Sequence, residues 1–178
     1  PGTLKMELLL TGGTIYDPAS GKAGRFDVGF ENGRIAVVDS DISPERARQS
    51  VDVTGKTIVP GLIDLHTHVY HGGTSLGVHP DNLALKAGVT TFVDAGSAGP
   101  GNFVGFHEHI IQKSRSRILA FLNISYAGIF AFDIGVGECE NMKLCDPETT
   151  LARALEYQDQ IIGIKVRVGM FTSGGNNL

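Results

Sequence analysis

The sequence predicts an α/β protein in two parts: a small antiparallel sheet over residues 1–56 and a series of parallel βα units over residues 57–178. Two patterns indicate this division. The first part contains short apolar strands separated by turn residues, and Asn32–Gly33 between two of them is a strong hairpin signal. From Thr57 onward, apolar strands alternate with helical segments, which is typical of parallel strands joined by helices.

Strands of the first part are predicted at Met6–Leu10, Phe26–Glu31, Arg34–Asp39 and Val51–Val53, with a turn at Thr11–Gly13. Strands of the second part are predicted at Thr57–His68, Val89–Asp94, Arg117–Ile124 and Ile161–Val168. Helices between them are predicted at Leu83–Ala87, at Asn102–Lys113 and after Asp146–Pro147, where Asp caps the helix and Pro is its first residue. Four strands are half of a (β/α)8 TIM-type barrel, which needs eight strands and about 250 residues. Residues 57–178 are therefore predicted to form the first half of a barrel.

Composition narrows the classes of function. A net charge of −4 leaves no basic surface for nucleic acid. No run approaches the roughly 20 apolar residues that cross a bilayer, and the N-terminus lacks the pattern of a signal peptide. Cys139 and Cys145 do not have zinc-knuckle spacing, so they are predicted to be free thiols of a cytoplasmic protein.

The strand Thr57–His68 ends in polar residues at every second position: Asp64, His66 and His68. Because side chains alternate along a strand, these three are predicted to share one face. Two neutral imidazoles at a strand end can hold a divalent metal such as zinc. The alternative is a polar strand end with two solvated histidines.

Lys165 is the second candidate metal-binding residue, because it lies within the apolar strand Ile161–Val168. Alternation places it on the face opposite Ile162 and Ile164, which suit a helical cover. Burial disfavours a charged amine. A neutral amine can add carbon dioxide and become a carbamate that bridges two metal ions. The alternative is a lysine whose charged end reaches solvent.

Four further residues are weaker candidates. Asp94 ends the second predicted barrel strand, where it either orients a metal ligand or caps its own loop. Asp64 is expected to support the site rather than bind metal. Arg167 is a candidate for binding a substrate carboxylate, with a surface salt bridge as the alternative. His71 either approaches substrate from its loop or is solvated.

Two segments carry a family resemblance. Val59–His68, with the sequence Val-Pro-Gly-Leu-Ile-Asp-Leu-His-Thr-His, resembles the first metal-binding strand of the amidohydrolase superfamily of metal-dependent hydrolases. Gly163–Arg167 resembles the strand that carries the carboxylated lysine of these enzymes. The dihydroorotase-like and deacetylase-like branches share both motifs, and Asp94–Gly99 and Leu122–Ser125 resemble the deacetylase-like branch.

The resemblance implies a barrel flanked by a small β-sandwich, of which residues 1–56 would be a part. It implies two zinc ions held by His66, His68 and carboxylated Lys165, with two histidines and an aspartate from later strands. A hydroxide shared by the metals would attack the amide carbonyl of a small-molecule substrate. The implied function is a zinc-dependent, deacetylase-like amidohydrolase. A cyclic amidase of the dihydroorotase or hydantoinase kind and a non-catalytic barrel scaffold remain alternatives.

Two expectations follow from a half barrel. The open edges of its first and last strands invite association, so a homo-oligomer is expected. Because only His66, His68 and Lys165 of the implied site are present, this chain alone is expected to show little hydrolysis.

Overall fold

A computed structural model describes residues 6–169 and 172–176, and the chain divides into two compact units, residues 1–60 and 61–178. The first unit is one five-stranded mixed sheet. Its strands are β1 (Met6–Asp17), β2 (Lys22–Glu31), β3 (Arg34–Asp39), β4 (Ala47–Asp52) and β5 (Thr57–Ile58). Their order is β3-β2-β1-β4, and β5 also pairs with β1.

The predicted hairpin is confirmed. Asn32 and Gly33 join β2 to β3 with positive φ angles of 51° and 69°, as a tight two-residue turn requires. The prediction of an antiparallel sheet holds for β1, β2 and β3 but is wrong for β4, which lies parallel to β1. β5, which was predicted to belong to the second part, also lies parallel to β1. The chain crosses over after β3 through a short 3-10 turn and re-enters the sheet on the other side of β1.

The turn predicted at Thr11–Gly13 is instead a bulge inside a continuous β1. Gly12 adopts a φ of 75°, and its N–H donates to Oδ1 of Asp27 at 2.8 Å. The other oxygen of Asp27 accepts the N–H of Ile42, in the crossover, at 2.9 Å. One buried carboxylate therefore ties the bulge to the crossover, beside a small core that contains Ile42 and Leu9.

The second unit alternates strands and helices. Its elements are β6 (Leu62–Thr67), α1 (Pro80–Ala87), β7 (Val89–Ala95), α2 (Phe103–His109), β8 (Arg117–Asn123), α3 (Pro147–Glu156) and β9 (Ile161–Lys165). The strands are parallel and lie in the order β6-β7-β8-β9, which confirms the predicted topology. None of the helices within the described residues combines the length and apolar character that crossing a bilayer demands.

The single strand predicted over Thr57–His68 is wrong. Its first residues form β5, which pairs with β1, and its later residues form β6, which pairs with β7. Pro60 lies in the break and has no N–H to donate to a neighbouring strand. The backbone at Gly61 passes so close to the side chain of Thr90 that a Cβ there would collide with it.

The core of the second unit lies between the sheet and its helices. Phe92 of β7 and Leu122 of β8 are fully buried, as are Phe103 and Phe106 of α2. Two helix ends follow the sequence signals, whereas α1 begins at Pro80 rather than at the predicted Leu83 and α2 ends at His109 rather than at the predicted Lys113. Asp146 accepts the N–H of Thr149 at 3.0 Å at the start of α3, and Gly88 ends α1 in the left-handed conformation.

Asp81, in the first turn of α1, anchors the segment that leads into β8. Its carboxylate accepts hydrogen bonds from the hydroxyl of Ser114 at 2.7 Å and from the N–H groups of Arg115 and Ser116 at 3.0 and 3.1 Å. Burial alone would raise the pKa of Asp81, but these hydrogen bonds outweigh it and lower the pKa to about 2.

We expect Asp81→Asn to lower the free energy of unfolding by about 2 kcal/mol at pH 6, because it weakens hydrogen bonds to a charged group. The folded pKa lies below the unfolded value. The contribution is therefore complete above about pH 4 and declines as the pH falls towards 2. Urea denaturation at pH 6 and pH 3 measures this, with the exposed Asp159→Asn as control. An equal deficit at both pH values would contradict the assignment.

Candidate metal centre

His66 and His68 lie at the carboxyl end of β6. Their ring centroids are 5.8 Å apart and the rings meet edge to face. The pairing register shifts between Asp64 and Thr67, because Asp64 pairs with Phe92 whereas Thr67 pairs with Asp94. A carboxylate oxygen of Asp64 accepts the N–H of His66 at 3.1 Å, so Asp64 supports the backbone at this irregularity.

His68 is half-buried, and its Nδ1 lies 2.9 Å from Oγ of Ser97. Burial lowers the pKa of His68, while the nearby carboxylate of Asp94 opposes this change. Electrostatic repulsion from His66, Lys165 and Arg167 lowers the pKa of His68 further. His68 is therefore neutral near pH 7, which is the protonation state that binds metal.

Asp94, near the end of β7, is completely buried. Its Oδ2 accepts the N–H of Val69 at 2.8 Å, and its Oδ1 accepts the N–H of Ser97 at 2.7 Å. Burial raises the pKa of Asp94, although the hydrogen bonds from Ser97 and Val69 offset part of this effect. Asp94 thus caps its own loop and also reaches the segment that carries His68.

Lys165 ends β9 and pairs in register with Asn123 of β8. A Cβ added to Gly96 would lie 2.7 Å from Cγ and 2.8 Å from Cβ of Lys165, so this side chain crosses the backbone just before Ser97. Its charge also acts on His68. The structure therefore brings Lys165 to the carboxyl edge of the sheet that carries His66 and His68.

Arg167 is already engaged with the long loop that follows β8. Its Nη1 lies 3.3 Å from Oε1 of Glu138, whose side chain is 4% exposed. Its guanidinium carbon lies 5.5 Å from the ring centre of Phe132. These contacts make Arg167 an anchor for the loop and leave only part of its guanidinium for another ligand.

His71 takes a different position. It is exposed in the loop after β6, where its ring centroid lies 5.6 Å from that of His79. Its Nδ1 lies 3.4 Å from the carbonyl oxygen of Gly77. Its ring neighbour is thus another loop histidine rather than His66 or His68.

Sequence reasoning overlooked three polar residues at this edge. Ser97 contacts His68, the buried Asn123 donates to the carbonyl oxygen of Gly96 at 3.1 Å, and Glu138 holds Arg167. The segments around Ser97 and Asn123 resemble segments of the deacetylase-like branch, and this resemblance could have marked both residues as members of the site. Glu138 lies in a long irregular loop, where no local pattern marks it.

The donors present suit a partial metal site. Two imidazoles lie side by side, one of them is held neutral, and a lysine lies at the same edge. Within residues 6–169 and 172–176, no three His, Cys, Asp or Glu side chains form a cluster that could hold a metal ion. Paired histidines at the carboxyl edge of successive parallel βα units place the chain in the class of βα-barrel proteins with a candidate metal centre.

Comparisons with known proteins refine this class. The chain is 42% identical over 143 residues to a deacetylase of Agrobacterium fabrum, an alignment that covers 80% of this chain and 35% of the deacetylase. A dihydroorotase crystal structure matches with a TM-score of 0.86 and 37% identity, over 96% of this chain and 45% of that one. An adenine deaminase structure matches with a TM-score of 0.81 and 26% identity, over 97% and 44%.

No family model matches the chain. These relatives nevertheless identify it: the chain belongs to the amidohydrolase superfamily, as the resemblance predicted. The chain spans less than half the length of the relatives it matches, and it corresponds to their N-terminal part.

We expect Gly96→Ala to displace Lys165, because the new methyl group would meet the first two carbons of that side chain, which cannot swing away as a flexible end could. The φ of 88° at Gly96 adds a backbone cost of about 1–2 kcal/mol. Gly88→Ala is the matched control, because φ there is 67° and nothing lies within 4 Å.

Thermal denaturation and zinc titration of the full-length protein measure this difference. Both variants should lose similar backbone stability, and only Gly96→Ala should also lose metal affinity. Equal metal affinity in the two variants would contradict the placement of Lys165.

Proposed function

We propose that this chain supplies part of the metal centre of a metal-dependent amidohydrolase that cleaves an amide bond and removes an acetyl or similar acyl group. The observation that supports the proposal most directly is the histidine pair, His66 and His68, at the same sheet edge as Lys165. The deacetylase relatives favour acyl-group removal over other hydrolyses in the superfamily.

The proposed metal is zinc, as two ions in the full-length protein, because imidazole nitrogen is a preferred zinc ligand. Bound zinc would polarise the amide carbonyl and make water acidic enough to ionise near neutral pH. His66 and His68 would bind it through neutral imidazoles. Asp64 would hold the backbone of His66 in place through the hydrogen bond described above.

Lys165 is proposed to react with carbon dioxide. After its ammonium group gives up one proton, the amine would attack the carbon atom, form a C–N bond and release a second proton, which leaves a carbamate with one negative charge. The two carbamate oxygens give the lysine the capacity to contact two cations, which an amine lacks. Asn123, its neighbour in register, is fixed by hydrogen bonds to Gly96 and Ser125 and stabilises this part of the edge.

Arg167 is proposed to contact a polar group of the substrate with the N–H groups that Glu138 leaves free. Glu138 already balances the charge of Arg167. Arg167 would therefore orient the substrate through its directed N–H groups more than attract it through net charge. Its position two residues beyond Lys165 supports a role close to the metal ligands.

A cyclic amidase is the second candidate, and the high structural similarity to a dihydroorotase favours it. Ring opening and acyl-group removal break the same kind of C–N bond with the same kind of metal centre.

We further propose that the substrate is a small molecule in the cytoplasm, that the protein is a homo-oligomer, and that the first sheet is one layer of a β-sandwich that the longer chain completes.

Metal analysis of the full-length protein tests the site. We expect the native protein to retain zinc and the double variant His66→Ala/His68→Ala to lose most of it, because two ligands are removed. The exposed His109→Ala should retain zinc and serves as the control. Native protein without a divalent metal, and without turnover of any amide, would favour a non-catalytic scaffold.

A substrate panel tests the reaction in the same preparation. Release of the acyl group from N-acyl amino acids supports the deacetylase proposal. Opening of dihydroorotate or hydantoin rings without acyl-group release would refute that proposal in favour of the cyclic amidase.

A further inference from the structure

The loop between β8 and α3 folds around a cavity of its own. Two hydrogen bonds close the neck of this loop, from the N–H of Tyr126 to the carbonyl oxygen of Leu144 at 2.7 Å and from the N–H of Asp146 to that of Ile124 at 3.2 Å. The cavity has a volume of about 270 Å³, and Glu138 is the only charged residue among the described residues that line it. Its walls are mainly apolar, with side chains of Ile129, Phe130, Phe132, Ile134, Val136 and Leu144.

Two hydrogen bonds join the walls of this loop cavity to the candidate metal centre. The N–H of Ser125 donates to Oδ1 of Asn123 at 3.0 Å, and Asn123 is the register partner of Lys165. The N–H of Ile129 donates at 3.0 Å to the carbonyl oxygen of Ser97, the serine that contacts the ring of a proposed metal ligand. The loop cavity therefore adjoins the carboxyl edge of the sheet, which is where βα barrels bind their substrates.

Arg167 and Glu138 form a polar border beside the apolar walls. Glu138 lines the cavity and lies 3.3 Å from the guanidinium of Arg167, which is partly exposed. The guanidinium carbon also lies 5.5 Å from the ring centre of Phe132, another residue of the wall. A ligand in the cavity would thus have apolar walls on one side and a cation at the border. This combination suits a molecule in which an apolar group and an anionic group lie close together.

One wall of the cavity is fixed by contacts with residues 172–176. A Cβ at Gly137 would collide with the backbone of Thr172, so the two segments pack closely there. The N–H of Cys139 donates to the carbonyl oxygen of Thr172 at 3.0 Å. The side-chain amide of Asn176 donates to the carbonyl oxygens of Cys139 and Glu140 at 3.2 and 3.0 Å. Because this wall is already formed, little ordering of the loop opposes the binding of a ligand.

We propose that the loop cavity is a substrate subsite that receives the apolar side chain of an N-acyl amino acid, whose carboxylate lies beside Arg167. That the ligand is a substrate rests on the proposed function. An apolar cavity of about 150 Å³ is large enough to bind benzene. The loop cavity therefore has room for the side chain of leucine or phenylalanine, and the methyl group of alanine would leave most of it unfilled.

The test uses three variants of the full-length protein. Ala131→Leu fills the cavity with a larger apolar side chain, and Phe132→Ala removes part of its wall. Met142→Ala is the matched control, because Met142 lies in the same loop and is 43% exposed, as Phe132 is, but does not line the cavity. For each protein, kcat/KM is measured with N-acetylalanine and N-acetylphenylalanine of both configurations, and the affinity for the same compounds is measured by calorimetry on metal-free protein.

We expect native protein and Met142→Ala to prefer N-acetylphenylalanine over N-acetylalanine by about 10- to 100-fold in kcat/KM. Ala131→Leu should lose most of this preference and keep its activity on N-acetylalanine, and Phe132→Ala should reduce the preference. Turnover of both compounds without a preference, or a full preference in Ala131→Leu, overturns the subsite and leaves the proposed function standing.

Absence of turnover with either compound would contradict the proposed function, and calorimetry would then decide the cavity separately. Tighter binding of N-acetylphenylalanine than of N-acetylalanine by native protein, lost in Ala131→Leu but kept in Met142→Ala, supports the loop cavity as the binding site. Equal binding of the two compounds by native protein, or unchanged binding in Ala131→Leu, refutes it.

Discussion

The carboxylate of Asp94 is the interaction on which the candidate site depends. A carboxylate buried completely is tolerated only when hydrogen-bond donors replace water around its oxygens. Here the donors are the N–H groups of Val69 and Ser97, which belong to different loops. Val69 directly follows His68, and Ser97 contacts the ring of His68. The need to satisfy one buried carboxyl group therefore holds the backbone beside a proposed metal ligand and the backbone of the serine that contacts its ring.

The parallel sheet brings the remaining donors to the same place. Strands of a parallel sheet end at a common edge, so residues far apart in sequence meet there without a dedicated loop. Lys165 reaches this edge because β9 pairs with β8 and because Gly96 leaves room for its first two side-chain carbons. The loop after β7 needs small residues because neighbouring groups approach its backbone closely. A Cβ at Gly99 would likewise collide with the loop after β8, and a Cβ at Gly128 of that second loop would collide with the first.

Sequence patterns predicted the elements well where local rules determine structure. The Asn32–Gly33 turn, the Asp146 cap and the order of the four parallel strands all follow from turn chemistry, capping or periodicity. The break between β5 and β6 escaped prediction, because Val59–Gly61 interrupts an apolar run whose two halves pair with different sheets. Tertiary structure decides which sheet each half of this run joins. It also decides which groups form hydrogen bonds with Asp94 and which carboxylate pairs with Arg167.

The ion pair of Arg167 shapes the electrostatics around the proposed centre. Glu138, nearly buried, balances the guanidinium charge. Lys165, two residues earlier, makes no ion pair with any described residue. Its positive charge opposes a cation bound at His66 and His68, whereas a carbamate would replace that charge with a negative one. The proposed metal binding and the proposed carboxylation would therefore favour each other, because each would reduce the electrostatic cost of the other. A lysine left without a carboxylate partner at this edge is consistent with that coupling.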